Sequence, residues 1–146
     1  MSLQTQLISD LPRVLGDRVQ LQQVILNLML NAIQAMSGTV ECPRRLEVIS
    51  EKLRRQNGLN SAKSQETGVS NTRRTEVLVT VRDSGPGLDP QNIDRLFGPF
   101  YTTKPHGLGM GLAICRSIIE AHEGRLWAKP NVPRGAIFQF AAPGDM

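Results

Sequence analysis

The chain has 146 residues, 40% hydrophobic and 4% aromatic, with a formal net charge of +4, which suits one compact domain with an aliphatic core over residues 1–146. No apolar run approaches the roughly 20 residues that span a bilayer, and Met1-Ser2-Leu3 opens no signal peptide, so no direct membrane contact is expected and the compartment is read as cytoplasmic, with room for an anchor elsewhere in a longer parent. The Lys and Arg residues are scattered, with Arg44-Arg45, Lys52 to Arg55 and Arg73-Arg74 as solvated loop ends, which argues against a nucleic-acid-reading face.

Thr5 to Ile8 partly alternates and reads as an edge strand, and Asp10-Leu11-Pro12 turns the chain. From Arg18 to Met36 the apolar residues Leu21, Val24, Ile25, Leu28, Met29, Ala32, Ile33 and Met36 follow the i, i+3, i+4, i+7 stripe of an amphipathic helix. Asp17 suits its N-cap and Ser37-Gly38 its stop. Arg45 to Leu53 reads as a strand. Gln56 to Thr72 carries few large apolar residues and reads as a polar hairpin loop, set at about 54–74. Glu76 to Arg82 places Val77, Val79 and Val81 on one face and Leu78 and Thr80 on the other, the pattern of a central strand.

Pro90 to Phe97 reads as a short helix, Gly98 to Met110 as a loop, and Gly111 to Ala121 as a second amphipathic helix closed by Gly124. Two strands, Arg125 to Ala128 and Ala136 to Ala141, flank the turn residues 130–135. This order predicts an α+β fold: a two-layer α/β sandwich whose mixed, mostly antiparallel sheet carries about three helices on one face. Cys42 and Cys115 have no metal-ligand spacing and read as reduced thiols.

Three places carry chemistry. Asn27 and Asn31 lie four apart, on one face of an otherwise aliphatic helix, where an unpartnered carboxamide costs about 1–3 kcal/mol. For Asn27, a tie to neighbouring backbone and a turn toward a ligand remain equal alternatives. Asn31 is read as an oxygen ligand to magnesium, which shares its shell with phosphates and water. Next, Asp83 closes the valine strand and leads into Ser84-Gly85-Pro86-Gly87. A carboxylate there suits an exocyclic amine such as that of adenine, and Gly85 and Gly87 let backbone approach a flat base, although an ordinary Gly-Pro turn has the same composition. Last, Lys104-Pro105-His106-Gly107-Leu108-Gly109-Met110-Gly111-Leu112 runs into the second helix. Alternating glycines and a helix N-terminus make a phosphate site, to which Lys104 adds a point charge. No GxxxxGK[ST] or HRD/DFG pattern is present.

Gln23 to Met36, Asp83 to Gly87, Leu96 to Lys104 and Gly107 to Leu112 resemble, in order, the N box, first glycine box, F box and second glycine box of sensor histidine kinases. Ser117 to His122 and Gly124 to Ala128 are similar to the oxygen- and nitrogen-sensing kinases. The resemblance covers about residues 10–142 and implies the Bergerat ATP-binding fold shared with DNA gyrase, mismatch-repair ATPases and heat-shock chaperones. It implies ATP and magnesium (Mg2+) as ligands, with Asn31 on the metal, Asp83 on the adenine amine, and Gly85 and Gly87 beside the base. Gly107, Gly109 and Gly111 would contact phosphates, and Phe100 to Met110 would form a lid. The cofactor-binding set it implies is Asn27, Asn31, Asp83, Gly85, Gly87, Thr102, Thr103, Lys104, Gly107, Leu108, Gly109, Met110, Gly111 and Leu112, with Asn31 and Lys104 as catalytic residues. It also implies as partners a helical dimerisation domain bearing the phosphoacceptor His and a response regulator bearing an Asp. His106 and His122 are read instead as a loop residue and a cation near a helix end.

The sequence departs from the family pattern at Leu108 for Thr or Ser, Met110 for Leu, Gln34 for Lys and Glu123 for Gly. The last is expected to affect only capping. A chaperone- or topoisomerase-type ATPase and a non-catalytic binding module are the alternative functions.

Overall fold

The computed structural model describes residues 1–8, 11, 13–14, 16–37, 43–56, 73–98 and 111–145. In chain order these form β1 (Ser2–Leu7), β2 (Arg13–Val14), α1 (Arg18–Met36), β3 (Arg45–Gln56), β4 (Arg73–Asp83), a 3-10 helix (Pro90–Arg95), α2 (Gly111–Ala121), β5 (Arg125–Pro130) and β6 (Ala136–Asp145).

The stripe in α1 folds as its spacing requires: Val24, Leu28, Ala32 and Met36, each four apart, are buried. Asp17 starts the helix by accepting Val19 N–H at 2.9 Å and Gln20 N–H at 3.2 Å on Oδ1. At the other end Ser37 donates both its backbone N–H and its hydroxyl to the Gln34 carbonyl.

The sheet runs β1-β3-β4-β6-β2, with β5 also paired to β6. β1 is parallel to β3, and every other pair is antiparallel. β4 is central, as its valines require. Val77, Val79 and Val81 join Phe138, Phe140, Leu126 and Leu46 in the core beneath Leu28, Cys115 and Ile119 of the two α-helices. Full burial of an aliphatic side chain of this kind contributes about 1.5–3 kcal/mol. The third expected helix is the 3-10 stretch Pro90–Arg95, capped by Asp89 Oδ1 on Gln91 N–H at 3.0 Å. It delivers Phe97 edge-on to Phe138, centroids 6.3 Å apart.

Strand limits differ from expectation for physical reasons. β3 and β4 extend through the pairs Arg54–Thr75, Arg55–Arg74 and Gln56–Arg73, because ladder hydrogen bonds join backbones whatever the side-chain polarity. The expected loop at 54–74 is therefore narrower, and residues 57–72 lie outside the described set. β1 sits earlier than Thr5 to Ile8, and β6 continues past Ala141 through Pro143 and Gly144, where its end meets the unforeseen β2.

Candidate functional site

Asp83 lies at the end of β4 and is 3% exposed. Its Oδ1 accepts Gly85 N–H at 2.9 Å and Ala136 N–H at 3.2 Å. Both bonds end on one oxygen, and Oδ2 takes neither. Burial pushes the carboxyl pKa up from its usual value, against the opposing pull of these two backbone hydrogen bonds.

The glycine loop after Asp83 is shaped by its surroundings. Gly87 adopts φ +96°, the left-handed region that favours glycine. At Gly85 a Cβ would press on Asp83 Oδ1 at 3.1 Å and Met36 Cγ at 3.2 Å, so the loop lies directly against the last turn of α1. The β5–β6 turn holds it from the other side. Asn131 Nδ2 donates to the Asp83 carbonyl at 2.9 Å, and Arg134 Nε donates to the Gly85 carbonyl at 3.0 Å. Gly135 (φ +113°) packs so closely that a Cβ would collide with the Asp83 carbonyl oxygen. From sequence alone Asn131, Arg134 and Gly135 read only as turn formers. Their cluster of turn-favouring residues was the one available signal, and it did not point to Asp83.

Asn27 and Asn31 are half-buried on α1. Asn27 Nδ2 makes a long contact of 3.7 Å to Cys115 Sγ on α2. Burial raises the Cys115 pKa, and the thiol is reduced. Asp17 at the start of α1 meets His122 at the end of α2, and Asn27 farther along α1 meets Cys115 earlier along α2, so the two helices run antiparallel. Asn31 lies one turn beyond the Asn27–Cys115 contact on α1, and Gly111 lies one turn before it on α2, each about 6 Å along its axis. Asn31 and the open amino end of α2 therefore sit at the same end of the helix pair, the end where Met36 meets Gly85. Gly111 is exposed with no described atom within 4 Å of where a Cβ would stand, whereas Leu112 packs against the core.

The end of the helix pair that faces the glycine loop thus gathers a buried carboxylate, two carboxamides, and a helix start whose first N–H groups have no acceptor within the helix itself. Thr102, Thr103, Lys104, Gly107, Leu108, Gly109 and Met110 lie outside the described residues, as do Tyr101, His106 and Cys42. Among the described residues no three His, Cys, Asp or Glu side chains gather to hold a metal. No helix among them is long and apolar enough to cross a membrane.

The model of the family described as histidine kinase-, DNA gyrase B- and HSP90-like ATPase matches residues 16–145. Sensor histidine kinase TmoS of Ectopseudomonas mendocina is 40% identical over 91% of the chain, and sensor protein FixL of Bradyrhizobium diazoefficiens is 41% identical over 89%. The chain spans only 12% of TmoS and 22% of FixL. Among solved structures, the nucleotide-free catalytic domain of histidine kinase ThkA superposes with a TM-score of 0.72 at 31% identity, covering 97% of this chain and 78% of that one. ThkA in complex with response regulator protein TrrA gives a TM-score of 0.69 at 28% identity, covering 98% of this chain and 34% of the other.

Proposed function

Since the chain belongs to the histidine kinase-, DNA gyrase B- and HSP90-like ATPase family, we propose that residues 1–146 are the ATP-binding catalytic domain of a sensor histidine kinase. The observation that carries the site assignment is Asp83, a carboxylate held in place by two backbone donors on Oδ1 while Oδ2 stays available for the adenine amine. The phosphates then run toward the amino end of α2, where the first N–H groups of the helix and its dipole favour anions.

The donor set suits magnesium that arrives on the nucleotide. Asn31 offers one neutral amide oxygen, and phosphates with water complete an octahedral shell that needs no protein cage. When bound, the ion neutralises charge on the transferring phosphoryl group. Asn31 orients the phosphate end of the nucleotide, Asp83 orients the base, and Lys104 adds a positive charge at the outer phosphates. The resemblance also assigns nucleotide contacts to Asn27, Gly85, Gly87, Thr102, Thr103, Gly107, Leu108, Gly109, Met110, Gly111 and Leu112. For Leu112, whose side chain packs into the core, that contact falls to the backbone N–H.

The acceptor is a His on a helical dimerisation domain of the same parent protein, and the phosphoryl group passes on to an Asp of a response regulator. The complex of ThkA with TrrA supports such a relay. The domain works in the cytoplasm, where ATP is available, whether or not the parent is anchored in a membrane.

Incubation with radiolabelled ATP, with and without the parent's dimerisation domain added as a separate chain, tests this function. Label should appear on the added domain and not on this chain. Strong self-labelling of the isolated chain would refute the assignment.

A further inference from the structure

Elementary hydrogen-bond accounting fixes the state of one histidine that the proposed chemistry does not use. Asp17 N–H points at His122 Nε2 at 3.0 Å, so Nε2 accepts. The ring proton therefore sits on Nδ1, which donates to the Ile118 carbonyl at 2.7 Å. His122 is thus a hydrogen-bond acceptor toward α1. The contact is close on the other side as well, because a Cβ at Gly16 would collide with the imidazole ring. A residue 105 positions away in sequence has thereby been built against the N-cap of α1.

We propose that His122 is a positioning residue of the nucleotide site: its Nδ1–H tautomer pins the amino end of α1 to the carboxyl end of α2, and so sets the separation of Asn31 from the amino end of α2. This rests on the reading that nucleotide binds between those two ends. α2 is about 16 Å long and touches α1 near its middle through the Asn27–Cys115 contact. A helix is stiff over that length, so loosening its His122 end displaces its Gly111 end by a similar amount in the opposite direction. Phosphate contacts at Gly111 and the metal contact at Asn31 then fall out of register, while the Asp83 loop, held by Asn131 and Arg134, keeps its place.

The two ring nitrogens can be tested separately. In His122→Asn the side-chain Nδ2 stands where Nδ1 was and still donates to Ile118, but nothing accepts from Asp17. In His122→Gln the side-chain Oε1 reaches the place of Nε2 and accepts from Asp17. Gly16→Ala leaves the histidine intact and drives the ring away.

Calorimetric titrations with Mg-ADP and with adenosine, below the melting temperature of each variant, read the result. His122→Asn and Gly16→Ala should each weaken Mg-ADP roughly tenfold, the scale of one lost hydrogen bond, with adenosine binding nearly unchanged. His122→Gln should recover most of the loss. The proposal is overturned if the Asn and Ala variants bind Mg-ADP like the wild type, if Gln loses as much as Asn, or if adenosine binding falls in parallel. A wild-type chain that binds no Mg-ADP overturns the nucleotide reading and this proposal with it.

Discussion

Asp83→Asn changes the chemistry of one buried side chain and leaves its outline intact. The amide oxygen takes the place of Oδ1 and keeps the acceptors for Gly85 N–H and Ala136 N–H. The place of Oδ2 passes from an acceptor to an NH2 donor, which opposes the donor of an adenine amine. Loss of a charge-assisted hydrogen bond is worth about 1.5–3 kcal/mol, so Mg-ATP affinity should fall roughly 10- to 150-fold.

Stability should move the other way. The pKa of Asp83 is raised in the folded chain by burial, so the folded state binds the proton more tightly than the unfolded state does. Stability from this group is then fully present below the ordinary carboxylate pKa and is lost as pH rises through the folded value. Above that folded value the ionised Asp83 destabilises the fold, and asparagine relieves that cost and flattens the slope. Calorimetric titration for affinity, with denaturant unfolding at several pH values, separates the two effects. An Asn variant that binds Mg-ATP as tightly as the wild type, or that is markedly less stable at neutral pH, would refute the reasoning.

Three further outcomes follow from the fold. Glu123 occupies the left-handed C′ position of a Schellman motif (φ +61°), with Glu123 N–H on the Glu120 carbonyl and Gly124 N–H on the Ile119 carbonyl. Strain there is about 1–2 kcal/mol for an L-residue, partly offset by the extra unfolded entropy of glycine, so Glu123→Gly should raise Tm by about 2 °C, and a fall in Tm would contradict it. Arg125→Ala strips the partner, at 3.2 Å, of the buried Glu76 and removes a cation from the face of Trp127; because Arg125 is 44% exposed the cost is about 1–2 kcal/mol by denaturant unfolding, and no change would show the pair to be idle. Gly135→Ala meets both a positive φ and the Asp83 carbonyl, so it should cost about 2 kcal/mol or more and also weaken nucleotide binding; an unaltered melting curve would contradict the packing.

The readable features were local ones. α1 was legible to the residue, because its stripe, its Asp17 cap and its Ser37 stop all act within one or two turns. The place of Asp83 at the end of the valine strand was legible from the alternation that precedes it. What escaped depends on distant chain segments. Asn131 and Arg134 matter through carbonyls 48 and 49 positions away, and nothing in the residues around 131–135 encodes that pairing. The contact of His122 is hidden for the same reason: its Nε2 accepts from the Asp17 N–H on another helix. Glu123 was noted as a departure in capping. Its positive φ appears only once the turn is folded back so tightly that a Cβ on Gly124 would strike the Ala141 carbonyl.

Amide chemical shifts recorded during Mg-ADP addition to the chain test the central claim most directly. Shifts should concentrate at Asn27, Asn31, Asp83 to Gly87 and Gly111, while Thr80, Trp127 and Gln139, hydrogen-bonded to one another on the sheet face away from the helices, should hardly move. Unchanged spectra at saturating nucleotide, or shifts confined to Thr80, Trp127 and Gln139, would contradict a nucleotide seated between α1, the Asp83 loop and the start of α2.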